Sequence, residues 1–305
     1  FFLSGIVVCG AWIYQMLPTS RLSRPRKRKA EAPPSPRSAG ADRPADLSER
    51  PGGDPELCSH HVHTHSNGYV EADLPGRALC DACATRLADE LVSGSGLVVL
   101  RGVLDAAERR AASEALTRLD AKLGEDGECS GAHRRVWNLV RGGEPFVSLV
   151  SMPLIFQILG KVLGEDFALG SLSGNILGPG TAAGEVHVDW PYSVIRNIPS
   201  DPIACQVTFC LDAFTKDNGP TEVTLHSQKE RSHPDCEDVD GMLPVECAAG
   251  SLLIYNSLLH HRSGANATSG KRAAILFQAL AKYVRPMENP VPPVPPLLAR
   301  RGSFF

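Results

Sequence analysis

The ten residues Gly184 to Ser193, GEVHVDWPYS, place a histidine and an aspartate two positions apart in an extended-looking run. Side chains at positions i and i+2 of a β-strand point to the same face, so His187 and Asp189 can reach one bound ion together. The stretch therefore predicts half of a metal site, carried on a strand.

A later segment offers the third ligand. An iron(II) oxygenase site takes two histidines and one carboxylate on one face of an octahedron, which leaves three positions for a co-substrate and oxygen. The run SLLIYNSLLHHRSGANATSGKRAAI, residues 251–275, contains His260 and His261. Adjacent strand residues face opposite sides, so only one of the two histidines can bind the ion. Strand alternation alone does not indicate which of the two histidines binds the ion.

An arginine follows the two histidines in the sequence. Arg272 comes eleven positions after His261 and begins an apolar run. Its guanidinium fork suits a carboxylate held by two hydrogen bonds, such as the distal end of 2-oxoglutarate. Ser263 lies between them and can donate a hydroxyl hydrogen bond to the same carboxylate.

The chain after Gly164 consists of short predicted strands separated by turns, including the Asn-Gly turn of KDNGPT. Such a pattern indicates a β-sandwich or barrel with helices packed outside it. The predicted strands are ALGSLSGNILG, GEVHVDW, CQVTFCL, TEVTL, GSLLIYNSLL and RAAILFQAL.

Two helices and a buried strand are predicted before these strands. GLVVLRGVL, residues 96–104, is typical of a buried strand. Asp105 is a plausible N-cap for the first helix, and Pro153 and Gly164 mark the start and end of the second. The first helix has an apolar stripe: Ala112, Leu116, Leu119 and Leu123.

Composition excludes some partners and compartments. The 305 residues are 43% hydrophobic and 21% charged, as in an ordinary globular protein. A net charge of -3 provides no overall basic field, so no nucleic-acid partner is expected. Nine cysteines, an odd number in a chain too long to need disulfides, favour a reducing compartment, and we expect a cytoplasmic location.

The amino-terminal part is expected to lie outside the globular domain. Residues 1–29 combine an apolar segment with the basic run RLSRPRKRK, which suits a truncated membrane anchor, a nuclear-import patch or a solvated charge run. The chain starts with Phe1, so we expect an incomplete amino terminus, with membrane-anchored or organellar location as alternatives. Residues 30–55, rich in Pro, Gly and Ser, predict a disordered linker.

Residues 56–84 contain a second cluster of chemistry-bearing side chains, within CSHHVHTH and CDAC. The spacing resembles tetrahedral structural zinc ligation. The alternative is a histidine-rich loop with two thiols on a helix. The expected zinc ligands are Cys58, His61, Cys80 and Cys83.

The order HVDWPY, DNGPTEV and AGSLLIYNSLLHHRSGANATSGKRAAI resembles the phytanoyl-CoA dioxygenase family of iron(II)- and 2-oxoglutarate-dependent oxygenases. The resemblance covers roughly Leu87 to Tyr283 and implies an oxygenase domain at 85–285, followed by a Pro-rich tail at 286–305. The implied fold is mostly β with flanking helices: a double-stranded β-helix, that is, a cupin-like jelly roll.

The resemblance also implies roles for individual residues. The family places its distal histidine eleven residues before the 2-oxoglutarate arginine, which selects His261 over His260. Iron would then be held by the catalytic residues His187, Asp189 and His261, and 2-oxoglutarate by Arg272, Ser263 and Asn175. Trp190 and Tyr192 are expected to line the substrate mouth, with contributions from Arg134, Arg135 and Trp137.

The implied activity is hydroxylation of a small organic substrate, with molecular oxygen consumed and succinate and carbon dioxide released. The alternative is a catalytically inactive jelly-roll module that uses the Cys/His zinc segment for interaction. The complete set of iron ligands, together with Arg272, favours the enzyme. The sequence predicts neither the identity of the substrate nor the oligomeric state.

Overall fold

The computed structural model describes residues 62–74, 79–123, 128–130, 132–190, 198–234, 240–286 and 288, with 128–130 as backbone only. The predicted anchor and linker segments, and nearly all of the Pro-rich tail, lie outside these residues. The boundaries proposed for them remain predictions.

The described residues form a nine-stranded sheet and a three-stranded sheet, in the orders β1-β2-β3-β10-β7-β12-β6-β5-β4 and β11-β8-β9. Every pairing is antiparallel except that of β2 with β3. The strands are β1 (Val62–Thr64), β2 (Val70–Asp73), β3 (Leu97–Arg101), β4 (Glu128–Ser130), β5 (His133–Val136), β6 (Ala168–Leu177), β7 (Ala204–Cys210), β8 (Thr221–Val223), β9 (Leu243–Val245), β10 (Leu252–Asn256), β11 (His261–Ser263) and β12 (Arg272–Leu280).

The two sheets pack face to face around an apolar interior. Val223 of β8 and Val245 of β9 join one cluster with Val99, Leu253 and Ala274 of the large sheet. Two antiparallel sheets closed over such an interior are the double-stranded β-helix that the resemblance implies, so the predicted fold class is confirmed.

The central strands are buried on both faces, as their runs of apolar residues predict. In β12, Ile275 and Phe277 belong to the outer core beneath the helices, whereas Ala274 faces the interior between the sheets. Alternation along β12 therefore directs the buried polar side chains Arg272 and Gln278 to the same interior face as Ala274.

Four helices pack on the outer face of the large sheet: α1 (Asp81–Val92), α2 (Ala106–Leu123), α3 (Glu144–Val150) and α4 (Pro153–Leu163). The predicted helices α2 and α4 are confirmed, and α4 ends at Gly164. The stripe on α2 is shifted from the prediction, because Ala115 is buried with Ala112 and Leu116 while Leu123 is 39% exposed. The short α3 was not predicted.

Within the described residues, no single helix is long and apolar enough to cross a membrane. The pair α3 and α4 together reach that length and apolarity, with a 48° bend between them. Their apolar side chains, including Phe146 and Ile155, are buried in the outer core.

The start of α2 is a capping box. The Asp105 carboxylate accepts hydrogen bonds from the backbone N–H groups of Ala107 and Glu108, both at 2.8 Å. Glu108 reciprocates by accepting from the Asp105 N–H at 3.0 Å. These bonds satisfy donors that have no partner inside the helix.

We expect Asp105→Ala to lower the free energy of unfolding by about 1 kcal/mol, because the orphan N–H groups lose their acceptor. Asp105→Asn, which retains a capping oxygen, should change it little. Urea denaturation of the three proteins measures the difference. Equal losses in the two variants would show that the carboxylate charge, and not the cap, stabilises this helix.

Candidate active site

His187 and Asp189 lie on an extended segment that pairs with β11 through a single β-bridge. His187 and His261 exchange two backbone hydrogen bonds, of 2.9 and 3.0 Å. The Asp189 N–H donates to the carbonyl of Ser257 at 2.9 Å. The prediction of a regular strand at GEVHVDW was therefore wrong, but one bridge is sufficient to place both side chains beside β11.

The three predicted iron ligands converge. Their ligand atoms all lie within 4.8 Å of one another, and Asp189 carboxylate oxygens lie 3.8 Å from His187 Nε2 and 3.6 Å from His261 Nε2. Each histidine has its Nδ1 within hydrogen-bond distance of a backbone carbonyl, that of Glu185 at 2.9 Å and that of Leu259 at 2.8 Å. An Nδ1–H that donates to a carbonyl leaves the Nε2 lone pair for a metal.

The electrostatics of the cluster suit a cation. Burial disfavours the charged form of Asp189, yet His261 and then His187 hold its pKa below the ordinary value, so the carboxylate is ionised. Burial likewise disfavours the imidazolium of His261, but Asp189 raises the pKa of that ring. Asp189 Oδ2 is buried without a hydrogen-bond partner in the described structure. A metal ion would satisfy this oxygen, so the residues fit the iron that the resemblance implies.

His260 faces away from the cluster. Its backbone N–H donates to the Ser227 hydroxyl, and its Nε2 lies 3.1 Å from the carbonyl oxygen of Ser232. Of the two histidines that strand alternation left open, His261 is therefore the one that lies with His187 and Asp189.

His187, Asp189 and His261 line a cavity of about 590 Å³. Asn175 and Ser263 line it as predicted, with Asn175 Nδ2 and Ser263 Oγ 3.5 Å apart. His133, on β5, contacts Asn175 Oδ1 through Nε2 at 2.6 Å. The predicted cofactor-binding residues Asn175 and Ser263 therefore share one cavity with the metal ligands.

Arg272 is buried inside the jelly roll and does not itself line this cavity. Its Nη2 donates to the carbonyl of Gly219, and its guanidinium carbon lies 4.4 Å from the ring centroid of Phe214. Its Nε has no hydrogen-bond partner among the described residues. Burial lowers the pKa of Arg272 to about 10, so the side chain remains a cation at neutral pH, with its Nε–H available to an anion.

Sequence reasoning missed several residues of the site. Tyr255 packs its ring 4.7 Å from that of His261, and Thr221 lines the cavity. Gly219 appears in the sequence only as a turn residue, but its carbonyl holds Arg272 and its φ of 81° is favoured by glycine. Tyr255 lies on the apolar strand β10, where nothing distinguishes it from a core residue.

The residues expected at the substrate mouth do not lie together in the structure. Arg135 lines the cavity and stacks on the Trp137 ring at 4.8 Å, whereas Arg134 faces outward and pairs with Asp120 at 2.6 Å. Trp190 lines a different, much smaller pocket beside Ile198. Tyr192 lies outside the described residues, so its role stays a prediction.

The described residues lend no support to the zinc hypothesis. Cys80 is the N-cap of α1, where its sulfur accepts a hydrogen bond from the Cys83 N–H at 3.3 Å. Cys58 and His61 lie outside the described part of the chain. The iron-ligand cluster is the only group of metal-ligating side chains found among the described residues.

The jelly roll and the His-x-Asp and distal histidine cluster on its cavity define an iron- and 2-oxoglutarate-dependent oxygenase. The sequence model of the phytanoyl-CoA dioxygenase family matches residues 93–274, and the chain belongs to that family.

Relatives support this assignment. Dioxygenase af480 of Aspergillus fumigatus is 31% identical over 209 residues, which span 64% of this chain and 66% of that protein's length. The crystal structure of the epimerase SnoN with Fe3+, alpha-ketoglutarate and nogalamycin RO is 20% identical, with a TM-score of 0.55 over 70% of this chain and 91% of that one. The alpha-ketoglutarate-dependent carbocyclase SnoK is also 20% identical, with a TM-score of 0.56 over 71% and 89%. At this identity the two structures show the common fold.

The adjacent histidines provide a matched test of the metal site. We expect His261→Ala to abolish stoichiometric iron(II) binding, because the site loses one of three ligands, and His260→Ala to retain it. Anaerobic calorimetric titration with iron(II) measures both. Loss of binding in His260→Ala with retention in His261→Ala would reverse the assignment.

Proposed function

We propose that the protein is an iron(II)- and 2-oxoglutarate-dependent dioxygenase that hydroxylates a small organic substrate and releases succinate and carbon dioxide. The observation that carries this proposal is the convergence of His187, Asp189 and His261 beside a cavity, with a buried carboxylate oxygen that accepts no hydrogen bond in the described structure.

Bound iron and 2-oxoglutarate would supply the oxidative chemistry, in which the keto acid loses carbon dioxide and one oxygen atom enters the substrate. The role of the protein is to hold the metal-binding side chains in position. The carbonyls of Glu185 and Leu259 orient the two imidazoles, and the Tyr255 ring restricts rotation of His261. Asp189 remains anionic and offsets part of the charge of a divalent ion.

Arg272 would bind the distal carboxylate of 2-oxoglutarate. Gly219 and Phe214 contact the guanidinium on two sides, so its Nε–H is already oriented for an anion. Ser263 lies on β11 two residues after His261, on the side of the cavity that Asn175 also lines. The hydroxyl and the amide would complete the hydrogen bonding of the same co-substrate.

The cavity favours a substrate with polar groups. Its volume is in the range that encloses a molecule of drug size. Of the lining side chains, Arg135, Thr181, Glu185 and Arg262 are polar or charged. A compact, oxygen-bearing metabolite would form hydrogen bonds with such groups, whereas a bare hydrocarbon chain would form no polar contact with them.

The co-substrate site is tested by the visible charge-transfer band of the iron–2-oxoglutarate chelate under anaerobic conditions. Removing one member of a buried ion pair costs about 3–5 kcal/mol, so Arg272→Ala should weaken 2-oxoglutarate binding by at least roughly 100-fold. Arg262→Ala is the matched control, because that arginine lines the cavity but is paired with Glu222 at 2.6 Å. Equal weakening in both variants would refute the special role of Arg272.

Turnover separates the enzyme from a silent jelly-roll module. We expect the protein with iron(II), 2-oxoglutarate and oxygen to form succinate, and Asp189→Ala to form none above background. Succinate is measured by mass spectrometry, with far-ultraviolet circular dichroism to confirm that the variant folds. Succinate formation that survived in Asp189→Ala would overturn the assignment of the ligands, and its absence in iron-loaded wild type would overturn the proposed activity.

A further inference from the structure

Two cysteines meet inside the jelly roll, apart from the metal ligands. The sulfur atoms of Cys210 and Cys247 lie 3.5 Å apart and share a hydrogen bond. Cys210 is the last residue of β7 and is fully buried, whereas Cys247 is partly exposed. The nearby Cys205, on the same strand, is buried with its side chain in the outer core, on the other face of the sheet.

The backbone holds the two thiols in place from both ends. Phe214 and Cys247 exchange two hydrogen bonds, of 2.9 and 3.0 Å. Cys210 donates to the Ser251 carbonyl at 3.0 Å and accepts from Gly250 N–H at 2.8 Å. Disulfide formation brings sulfurs to about 2.05 Å, so the pair has roughly 1.5 Å to close, a distance within reach of side-chain rotation and small backbone shifts.

The two thiols differ in pKa and in exposure, as the two steps of disulfide formation require. The hydrogen bond with Cys210 lowers the pKa of Cys247, while burial raises the pKa of Cys210 well above its usual value. The partly exposed Cys247 is thus both the better nucleophile and the one that a small oxidant can reach. Cys210 is suited to respond as the second thiol, within contact of the first.

We propose that Cys210 and Cys247 form a reversible regulatory disulfide with a peroxide as the oxidant. Cys247 attacks hydrogen peroxide, breaking its O–O bond to give a sulfenic acid and water. Cys210 then attacks the Cys247 sulfur, and the sulfenic hydroxyl leaves as a second water with the Cys210 proton. In sum, two thiols are oxidised to one disulfide and one peroxide is reduced to two waters. Thiol reductants of a cytoplasmic compartment would reverse the reaction.

The disulfide would act on the arginine that we assign to 2-oxoglutarate. The Phe214 backbone is bonded to Cys247, and its ring lies against the guanidinium of Arg272. Closing the sulfurs therefore displaces a residue on which the arginine rests. This consequence depends on the proposed function, whereas formation of the disulfide does not.

The test uses the full chain treated with hydrogen peroxide, alkylated, digested with trypsin and sequenced by mass spectrometry. Cys210 falls in peptide 197–216 and Cys247 in peptide 232–262. We expect these peptides to be cross-linked, two hydrogen masses below their sum, and to be released by dithiothreitol. The controls are C205S and C236S, because Cys205 and Cys236 occupy the same two peptides. Both should retain the cross-link, whereas C210S and C247S should lose it.

In C210S, dimedone should trap Cys247 as its sulfenic acid, because the second thiol is missing. Irreversible oxidation of Cys247 in wild type without a cross-link, or loss of the cross-link in C205S or C236S, would overturn the proposed pair.

A second arm measures 2-oxoglutarate binding by the chelate band. Oxidised wild type should bind more weakly than reduced wild type, and peroxide-treated C247S should show no loss. A cross-link without weaker binding would refute the coupling to Arg272. Reduced protein that binds no 2-oxoglutarate would count against the proposed function and leave the disulfide result standing.

Discussion

The bridge between His187 and His261 is the interaction on which the site depends. Two backbone hydrogen bonds join the segment that carries His187 and Asp189, two of the predicted iron ligands, to the short strand that carries the third, His261. Because both histidines belong to the same bridge, their rings lie side by side, with centroids 4.4 Å apart. Any shift of β11 along β8 would move His261 relative to Asp189 and open the cluster.

That bridge is anchored to the large sheet by the turn that follows β10. Ser257 accepts a hydrogen bond from Asp189 N–H and donates its own N–H to the carbonyl of Ala204. The metal-binding segment is therefore tied both to the small sheet, through His261, and to the large sheet, through Ser257. Hydrogen bonds to both sheets thus hold the segment in position although it contains no regular strand.

The convergence of His187, Asp189 and His261 could be predicted from the sequence because the i, i+2 spacing and the later histidine are recognisable signals. The strand predicted at GEVHVDW was wrong, but this did not affect the prediction, because it depended only on the positions of His187 and Asp189 relative to each other. His133 could be placed only by the structure, because the run HRRV of β5 lacks apolar alternation and owes its position to pairing with β6. Tyr255 and Gly219 likewise gain their roles from residues far away in sequence, which local spacing cannot reveal.

Arg272 shows why the interior of this fold implies an anionic ligand. The side chain is 1% exposed, and within the described part of the chain its contacts include the Gly219 carbonyl and the Phe214 ring. A carbonyl and an aromatic ring offset only part of the cost of removing a guanidinium from water. In the proposed complex, a carboxylate of 2-oxoglutarate on the Nε side would offset part of the cost of burying this charge. Because few groups compensate for the buried charge of Arg272, the position of the Phe214 ring matters for this side chain. Phe214 is also the residue that the proposed disulfide would displace.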